Sequence, residues 1–511
     1  VPEYGLEKEK EQKEADKLAE YKSTLTNDEL EELVKKTKEL KEYQDTPSSQ
    51  EDLEKIPMLE LSDIKREPAK DYNDVKSVDG IKIVHHNIFT NKIAYINMSF
   101  DTKCVPDELI PYMGLLGSTL SLMDTKNYTY PELTNEININ CGGLATGTAL
   151  YSDKVDFSKN TIVYEVKSKA LYEKVPFVLG MMEEIMYNTR FDDYKRLKEI
   201  IARIKSRLEA SLMGQGHSIA MLECCAQFSE SAYYSDILRG YKYYEFIKKL
   251  DEEFEQNKTQ IVDKLNKLVG YIFNKDNVIV SLTADDEGYD CFVKALSAKS
   301  CNIKDEHYNT AVRSFIPVNV KTGYTSASQV QYVARCGNFV KDGYKYTGAL
   351  KVLKVIFSYD YLWINVRVKG GAYGCMSGSS RNGDFYMVSY RDPNLEKTND
   401  IYEGAADYIR NFDVSRRDMV KFIIGTIGEI DAPLTPSAIG SRSFTHYMCN
   451  CTEDMLRKDR EEVLDATVES IRELAPLIES AVGQNYLCVV GNQKQINEAA
   501  DLFDEIKPLI G

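Results

Sequence analysis

The chain contains no apolar run approaching the roughly 20 residues that span a bilayer, so no helical membrane segment and no membrane partner is expected. Positive charge is not in excess either. Sixty-four Lys and Arg face 80 Asp and Glu, and a net charge of −16 argues against a nucleic-acid-binding surface. A metal knuckle is also missing: Cys224-Cys225 are adjacent and Cys449-Asn450-Cys451 have one residue between them, not two. The 11 cysteines are odd in number and scattered, some within apolar runs such as Leu487-Cys488-Val489. Buried free thiols in a reducing compartment fit this better than a disulfide framework. No Gly-x-Ser-x-Gly elbow and no cysteine-nucleophile motif is present, which leaves a hydrolase acting alone without a motif. The start, Val1-Pro2-Glu3-Tyr4, has neither an initiator Met nor the basic-then-apolar profile of a signal peptide. A fragment or processed product is therefore expected, with a cytoplasmic setting, or an organelle matrix if a targeting segment has been removed.

What is present reads as a globular protein. The 511 residues are 43% hydrophobic and 28% charged, enough for about three domains. Glu7 to Tyr21 is dense in Lys and Glu and predicts a helix. Thr24 to Asp28 breaks it and supplies capping residues, and a second helix from Asp28 to about Tyr43 carries Leu30, Leu33, Val34 and Leu40 on one stripe. A polar stretch through Pro57 and Pro68 follows, so residues 1–70 read as a charged helical hairpin and linker, a spacer between larger bodies.

From about Tyr72 strands take over. Ala94, Ile96, Met98 and Phe100 alternate as in a half-buried antiparallel strand, and a buried helix is predicted from Pro106 to Met123. A repeat is visible by eye. A strand at Ile162–Val166, a helix and Arg190-Phe191-Asp192 before a long helix correspond to a strand at Phe385–Tyr390, a helix and Asn411-Phe412-Asp413. Each unit closes with a strand, Val278–Leu282 and Tyr486–Val490. The predicted class is α+β, with two homologous domains of antiparallel sheet packed with helices, at 71–310 and 311–511, preceded by the hairpin.

The stretch most suggestive of chemistry is Arg367-Val368-Lys369-Gly370-Gly371-Ala372-Tyr373-Gly374. Gly370 and Gly371 allow close backbone approach or positive φ. Arg367 offers a fork of donors and Tyr373 a phenolic hydroxyl, a pair able to hold a carbonyl oxygen or a developing oxyanion. On these residues alone, a glycine-rich strand end beside a surface arginine is the favoured explanation.

Several separated segments settle on one family. The charged hairpin, Pro111-Tyr112-Met113-Gly114-Leu115-Leu116-Gly117-Ser118, Gly214-Gln215-Gly216-His217-Ser218-Ile219-Ala220, Tyr390-Arg391-Asp392-Pro393-Asn394-Leu395 and the Arg367–Gly374 stretch are similar, in this order, to the C-terminal half of the presequence-protease group of zinc metallopeptidases, the insulinase-like inverted zincins. The resemblance covers essentially the whole chain. It implies two halves closing around a peptide-sized chamber, with zinc bound by the N-terminal half through His-x-x-Glu-His. That motif is absent. None of the five histidines, His85, His86, His217, His307 and His446, has another four residues away, and the corresponding helix from Pro111 offers Tyr112, Leu115 and Leu116. No metal ligand is therefore expected in this chain, and 71–310 is expected to be the degenerate copy of the peptidase domain. His217, between glycine and serine, reads as a packed or capping side chain.

The resemblance gives Arg367 and Tyr373 the catalytic role of reaching across the chamber to position substrate and stabilise the tetrahedral intermediate, with Gly370 and Gly371 completing the substrate-binding turn. Asn382 and Arg391 are left outside this assignment. Asn140 to Gly147 resembles the edge strand on which the catalytic copy pairs its substrate; without Gly-Lys-Ser/Thr it is no phosphate loop. The expected function is the non-zinc half of an oligopeptidase for unstructured peptides, inactive alone and dependent on a zinc-bearing N-terminal half. The alternative is a non-catalytic scaffold subunit, for which an Arg–Tyr pair would have no use.

Overall fold

The computed structural model describes residues 6–46, 49, 51–52, 55–298 and 302–510, in two compact units, Val1–Asp63 and Ile64–Gly511. In the first unit, helices span Leu6–Thr24 and Asn27–Asp45. Thr26 caps the second: its Oγ1 accepts from the Glu29 N–H at 3.3 Å, while Glu29 Oε2 accepts from the Thr26 N–H at 2.8 Å. This reciprocal box fixes the helix start at the predicted break. Leu33, Val34 and Leu40 are exposed.

The second unit holds two six-stranded sheets. The first comprises β1 (Asp74–Val78), β2 (Ile81–Asn87), β3 (Ile93–Asp101), β4 (Leu144–Ser152), β5 (Asn160–Leu171) and β6 (Val278–Ala284), in the order β1-β2-β6-β3-β5-β4. The second comprises β7 (Thr322–Ser326), β8 (Tyr332–Asn338), β9 (Gly374–Ser379), β10 (Asp384–Tyr390), β11 (Tyr486–Asn492) and β12 (Glu505–Pro508), in the order β12-β7-β11-β8-β10-β9. Without β1 and β12, the two orders coincide strand for strand. The α+β class holds, and each sheet is mixed: β2 runs parallel to β6, and β7 runs parallel to both β11 and β12, while the other pairs are antiparallel.

Strand alternation fixes the core. Ala94, Ile96, Met98 and Phe100 of β3 are buried with side chains from helices Val175–Tyr187, Tyr194–Gly214 and Phe254–Ile272. The apolar run from Pro106 is helical over a shorter span than expected. A 3₁₀ turn at Asp107–Leu109 leads into helix Ile110–Thr119, and the Leu122 and Met123 N–H groups then fold back onto the Thr119 carbonyl. His85 and His86 take opposite faces as strand neighbours should: His85 stacks on Tyr289, His86 approaches Phe444. The ten described cysteines are free; Cys301 lies outside the described residues.

The two sheets exchange helices. Helix Gly216–Ala226, which follows β5 in sequence, packs on β8, β10 and β11 of the second sheet. Helix Pro436–Met448, at the corresponding place after β10, packs on β6 and β2 of the first. Each sheet thus receives a covering helix from the other part of the chain.

Candidate functional site

The segment that presents Arg367 begins as α-helix Ala349–Ile356 and widens into π-helical turns at Phe357–Tyr361 and Trp363–Val368. Such widening is rare and often accompanies function. It ends at the glycine pair. The Gly371 N–H donates to the Arg367 carbonyl at 2.8 Å and the Ala372 N–H to the Val366 carbonyl at 3.1 Å. Gly371 has φ +83°, and a Cβ on Gly370 would lie 2.4 Å from the Val366 oxygen, so both positions require glycine. The chain then enters β9, with Tyr373 immediately before it.

Arg367 lies with its guanidinium carbon 4.1 Å from the Trp363 ring centre and 5.6 Å from that of Tyr373. Among the described residues its guanidinium makes no hydrogen bond or ion pair. Tyr373 is 65% exposed, and its ring meets Tyr390 edge-on, with centroids 5.8 Å apart. Tyr390 in turn touches His217 at 4.8 Å and Tyr332 at 5.7 Å. The result is an aromatic wall with a guanidinium at its rim.

The segment Tyr390 to Leu395 braces this wall. Asp392 is fully buried; its Oδ1 accepts from the Asn394 N–H at 2.9 Å and its Oδ2 from the Thr398 hydroxyl at 2.7 Å. Burial pushes its carboxyl above the ordinary range despite these bonds. The Asn394 amide then donates to the Gly370 carbonyl at 2.6 Å, tying the brace to the glycine turn. At Cys375, next to the pair, burial pushes the thiol up to about 11, against a downward pull from Arg367.

Arg367, Gly370, Gly371 and Tyr373 are therefore gathered at one turn. Trp363, Tyr390, His217 and Asn394 join them, and sequence reasoning did not place them there. Trp363, the only tryptophan, stands four residues before Arg367, a helical spacing that was available as a signal. His217 has a sealed Nδ1 without a hydrogen-bond partner, and burial lowers its pKa, favouring the neutral ring. Asn382 sits apart in the β9–β10 turn, donating to Asp384 at 3.0 Å.

A zinc site does not fit helix Ile110–Thr119. Tyr112, Leu115 and Leu116 point into the core, and the Tyr112 hydroxyl accepts from Lys264 at 3.2 Å. Among the described residues Asp276, Asp305 and His307 are grouped closely enough to share an ion, but all three are exposed. No helix among the described residues is long and apolar enough to cross a membrane.

Comparison with known proteins bears on the family and the fold. A family model for the region associated with peptidase family M16, subfamily C, matches residues 1–250, and one described as "PreP C-terminal domain" matches residues 323–492. Protein HypA of Clostridium perfringens is 39% identical over 514 residues, covering 100% of this chain and 52% of that protein. Presequence protease 1, chloroplastic/mitochondrial, of Arabidopsis thaliana is 30% identical, covering 99% of this chain and 47% of that protein. The chain thus spans about half the length of these relatives. Among solved structures, a peptidase M16 inactive domain from Pseudomonas fluorescens shares the fold, with a TM-score of 0.57, 14% identity, and coverage of 85% of this chain and 98% of that one. A conserved protein from Enterococcus faecalis does so with a TM-score of 0.60, 13% identity, and coverage of 83% and 99%.

Proposed function

Since this chain is a C-terminal half of the M16 peptidase type, subfamily C, we propose that it serves as the substrate-positioning half of a zinc-dependent oligopeptidase acting on unstructured peptides. The observation that carries the proposal is the unpaired state of Arg367. Two buried arginines of this protein are tied down: Arg335 donates to Asn399 and Glu403, and Arg460 forms a fork with Asp431. Arg367 is instead held by stacking alone, leaving its planar donors free for a group from outside the chain.

On this reading Arg367 donates to a carbonyl oxygen of the bound peptide and orients the scissile bond. The Tyr373 hydroxyl donates to the same oxygen as negative charge develops on it. Both interactions strengthen as charge builds, so they lower the barrier more than they tighten ground-state binding. The Gly370-Gly371 turn leaves room for a peptide backbone. Zinc and its water belong to the N-terminal half, for which this chain supplies no ligands. In the assembled protein the chain closes the peptide chamber, and the hairpin of residues 1–70 is the spacer. The domains at 71–310 and 311–511 are a degenerate and a clamp-bearing copy of one unit, supported by their coincident strand orders.

The test is cleavage of a quenched, unstructured peptide by the chain alone and after mixing with a zinc-loaded N-terminal half. Activity is expected only in the mixture, with a loss of about 100-fold in kcat for Arg367→Ala or Tyr373→Phe. Absence of activity from verified, zinc-loaded complexes would instead assign the chain to a scaffold role.

A further inference from the structure

Strand β10 gains one residue just where it reaches the aromatic wall. From Asp384↔Asn338 to Val388↔Ala334, β10 and β8 keep one antiparallel register, which continued would set Arg391 opposite Gln331. Asp392 takes that place instead. Its N–H donates to the Gln331 carbonyl at 2.9 Å, and the Gln331 N–H donates to its carbonyl at 2.7 Å. Tyr390 and Arg391 therefore stand together against Tyr332, which is a β-bulge. Where such a bulge needs positive φ the residue is ordinarily glycine, yet Arg391 holds it at φ +48°.

The extra residue exchanges two side chains. By alternation from Ser389, which is fully buried, the inward place belongs to residue 391. Asp392 occupies it, buried beside Ser389 and bonded to Asn394 and Thr398. Arg391 is left exposed. Its guanidinium carbon lies 5.6 Å from the Tyr390 ring centre, and its charge opposes the upward push of burial on the Tyr332 hydroxyl. Its carbonyl accepts from the Tyr373 N–H at 3.2 Å, which ties the bulge to the Arg367 turn.

The fold needs the bulge, because it turns Asp392 inward to brace the glycine turn. It does not need an arginine there: glycine would complete the bulge without strain. What arginine adds is a guanidinium. Among the described residues no carboxylate pairs with Arg391, Arg367 or Lys369, in a chain whose net charge is −16. Cations left unpaired in an acidic protein make this edge of the wall locally positive. A guanidinium fork matches a carboxylate in both geometry and charge, and strain at a bulge beside a site is the mark of a side chain re-aimed for use.

We propose that Arg391 is a second substrate-binding guanidinium, which receives a carboxylate of the bound peptide on the Tyr390 side of the wall while Arg367 holds a backbone carbonyl on the Trp363 side. The site then favours peptides with an acidic side chain, or a terminal carboxylate, at one fixed distance from the carbonyl at Arg367. That the partner is a peptide rests on the peptidase reading; the preference for a carboxylate is measured by binding alone, without cleavage.

The test is fluorescence anisotropy of the full chain with labelled, unstructured peptides in which a single Glu or Gln is moved along the sequence, each made as C-terminal acid and amide. At one position Glu should bind about ten-fold more tightly than Gln; a flat scan with the acid about ten-fold tighter than the amide would identify the carboxylate as the terminal one. Arg391→Gly should remove the preference without lowering the urea-unfolding midpoint, since it also relieves the backbone, and Arg391→Lys should keep part of it. Arg367→Ala should weaken Glu and Gln peptides alike. No preference for any carboxylate, no binding at millimolar peptide, or a preference that survives Arg391→Gly would overturn the proposal. So would loss of the preference together with a lowered unfolding midpoint, which would make Arg391 a structural residue. A carboxylate preference without cleavage in zinc-loaded complexes would count against the peptidase reading alone.

Discussion

Replacing Glu223 with glutamine should flatten the dependence of stability on pH above neutrality. Glu223, on helix Gly216–Ala226, reaches toward Asp236 on helix Glu230–Arg239, which is fully buried. The Glu223 Oε2 accepts from the Tyr324 hydroxyl at 2.9 Å, while its Oε1 and Asp236 Oδ2 are sealed without hydrogen-bond partners. One cation faces them, Lys242, 3.4 Å from Asp236 Oδ2. Two sealed acceptors side by side require a shared proton. Burial first, and the Asp236 charge second, push Glu223 up to about 8. The folded protein therefore holds a proton that the unfolded chain has released, and stability declines as pH rises toward 8. For a group moving from its ordinary value to about 8, the decline between pH 7 and 8 is about 1 kcal/mol. The buried histidines act with the opposite sign but lower down: His86 is depressed to about 4 by burial, so its effect is complete by about pH 7. Buried thiols such as Cys336 and Cys488 are raised by burial and add slope of the same sign toward pH 8. The quantity to measure is thus the difference between urea-unfolding curves of wild type and Glu223→Gln at pH 7.0, 7.5 and 8.0. Glutamine can still accept from Tyr324 and donate to Asp236, so the contact persists while the titration disappears. Parallel slopes in the two proteins would refute the shared proton.

Three further substitutions test other parts of the structure. Trp363→Ala removes the stacking surface of Arg367 and should lower kcat/KM of the reconstituted peptidase about ten-fold, mainly through kcat, with Trp363→Phe restoring part of it; unchanged kinetics would show that the stack does not position the guanidinium. Gly337→Ala puts a Cβ 1.9 Å from the Ala481 carbonyl oxygen, where backbone must move, and should cost about 2–3 kcal/mol in urea unfolding. Arg460→Ala removes the fork to the exposed Asp431 and frees the Lys65 carbonyl that Arg460 Nε holds at 2.7 Å, an expected loss of about 1–2 kcal/mol by the same assay.

Strand alternation and helix capping were legible because they are local: Ala94 to Phe100 and the Thr26–Glu29 box each declare themselves within a few residues. The turn proposed as a clamp was legible in part for the same reason, since Arg367, the two glycines and Tyr373 lie close together in sequence. Its supports were not. His217 and Tyr390 come together only because helix Gly216–Ala226 crosses to the second sheet, a partnership that no local spacing encodes. The parallel pairs were also missed, because β2–β6 and β7–β11 join strands far apart in sequence. The cavity between the first sheet and helix Pro436–Met448 depends on the register of four strands against a helix more than 150 residues later, and polar alternation on β3 and β5 reads equally as a solvated face.

The exchange of helices also carries a consequence for folding. If the sheets were independent, a chain of residues 64–310 would fold alone and bury its own apolar surface. In this structure the buried face of helix Gly216–Ala226, with Ile219, Ala220, Cys224 and Cys225, finds its partners on the second sheet: Tyr324, Tyr332, Ala334 and Cys336. Reciprocally, Val84 and Val163 of the first sheet are covered by Phe444 and Cys449 from the far end of the chain. Cutting at 310 exposes both surfaces, and an apolar patch of that kind favours association over a monomeric native state. Residues 64–310 alone should therefore bind a hydrophobic dye and self-associate in sedimentation, and adding residues 311–511 should suppress both. A monomeric 64–310 with native-like near-ultraviolet dichroism and no dye binding would refute the reasoning, and would mean that the exchanged helix contributes little to the stability of either sheet.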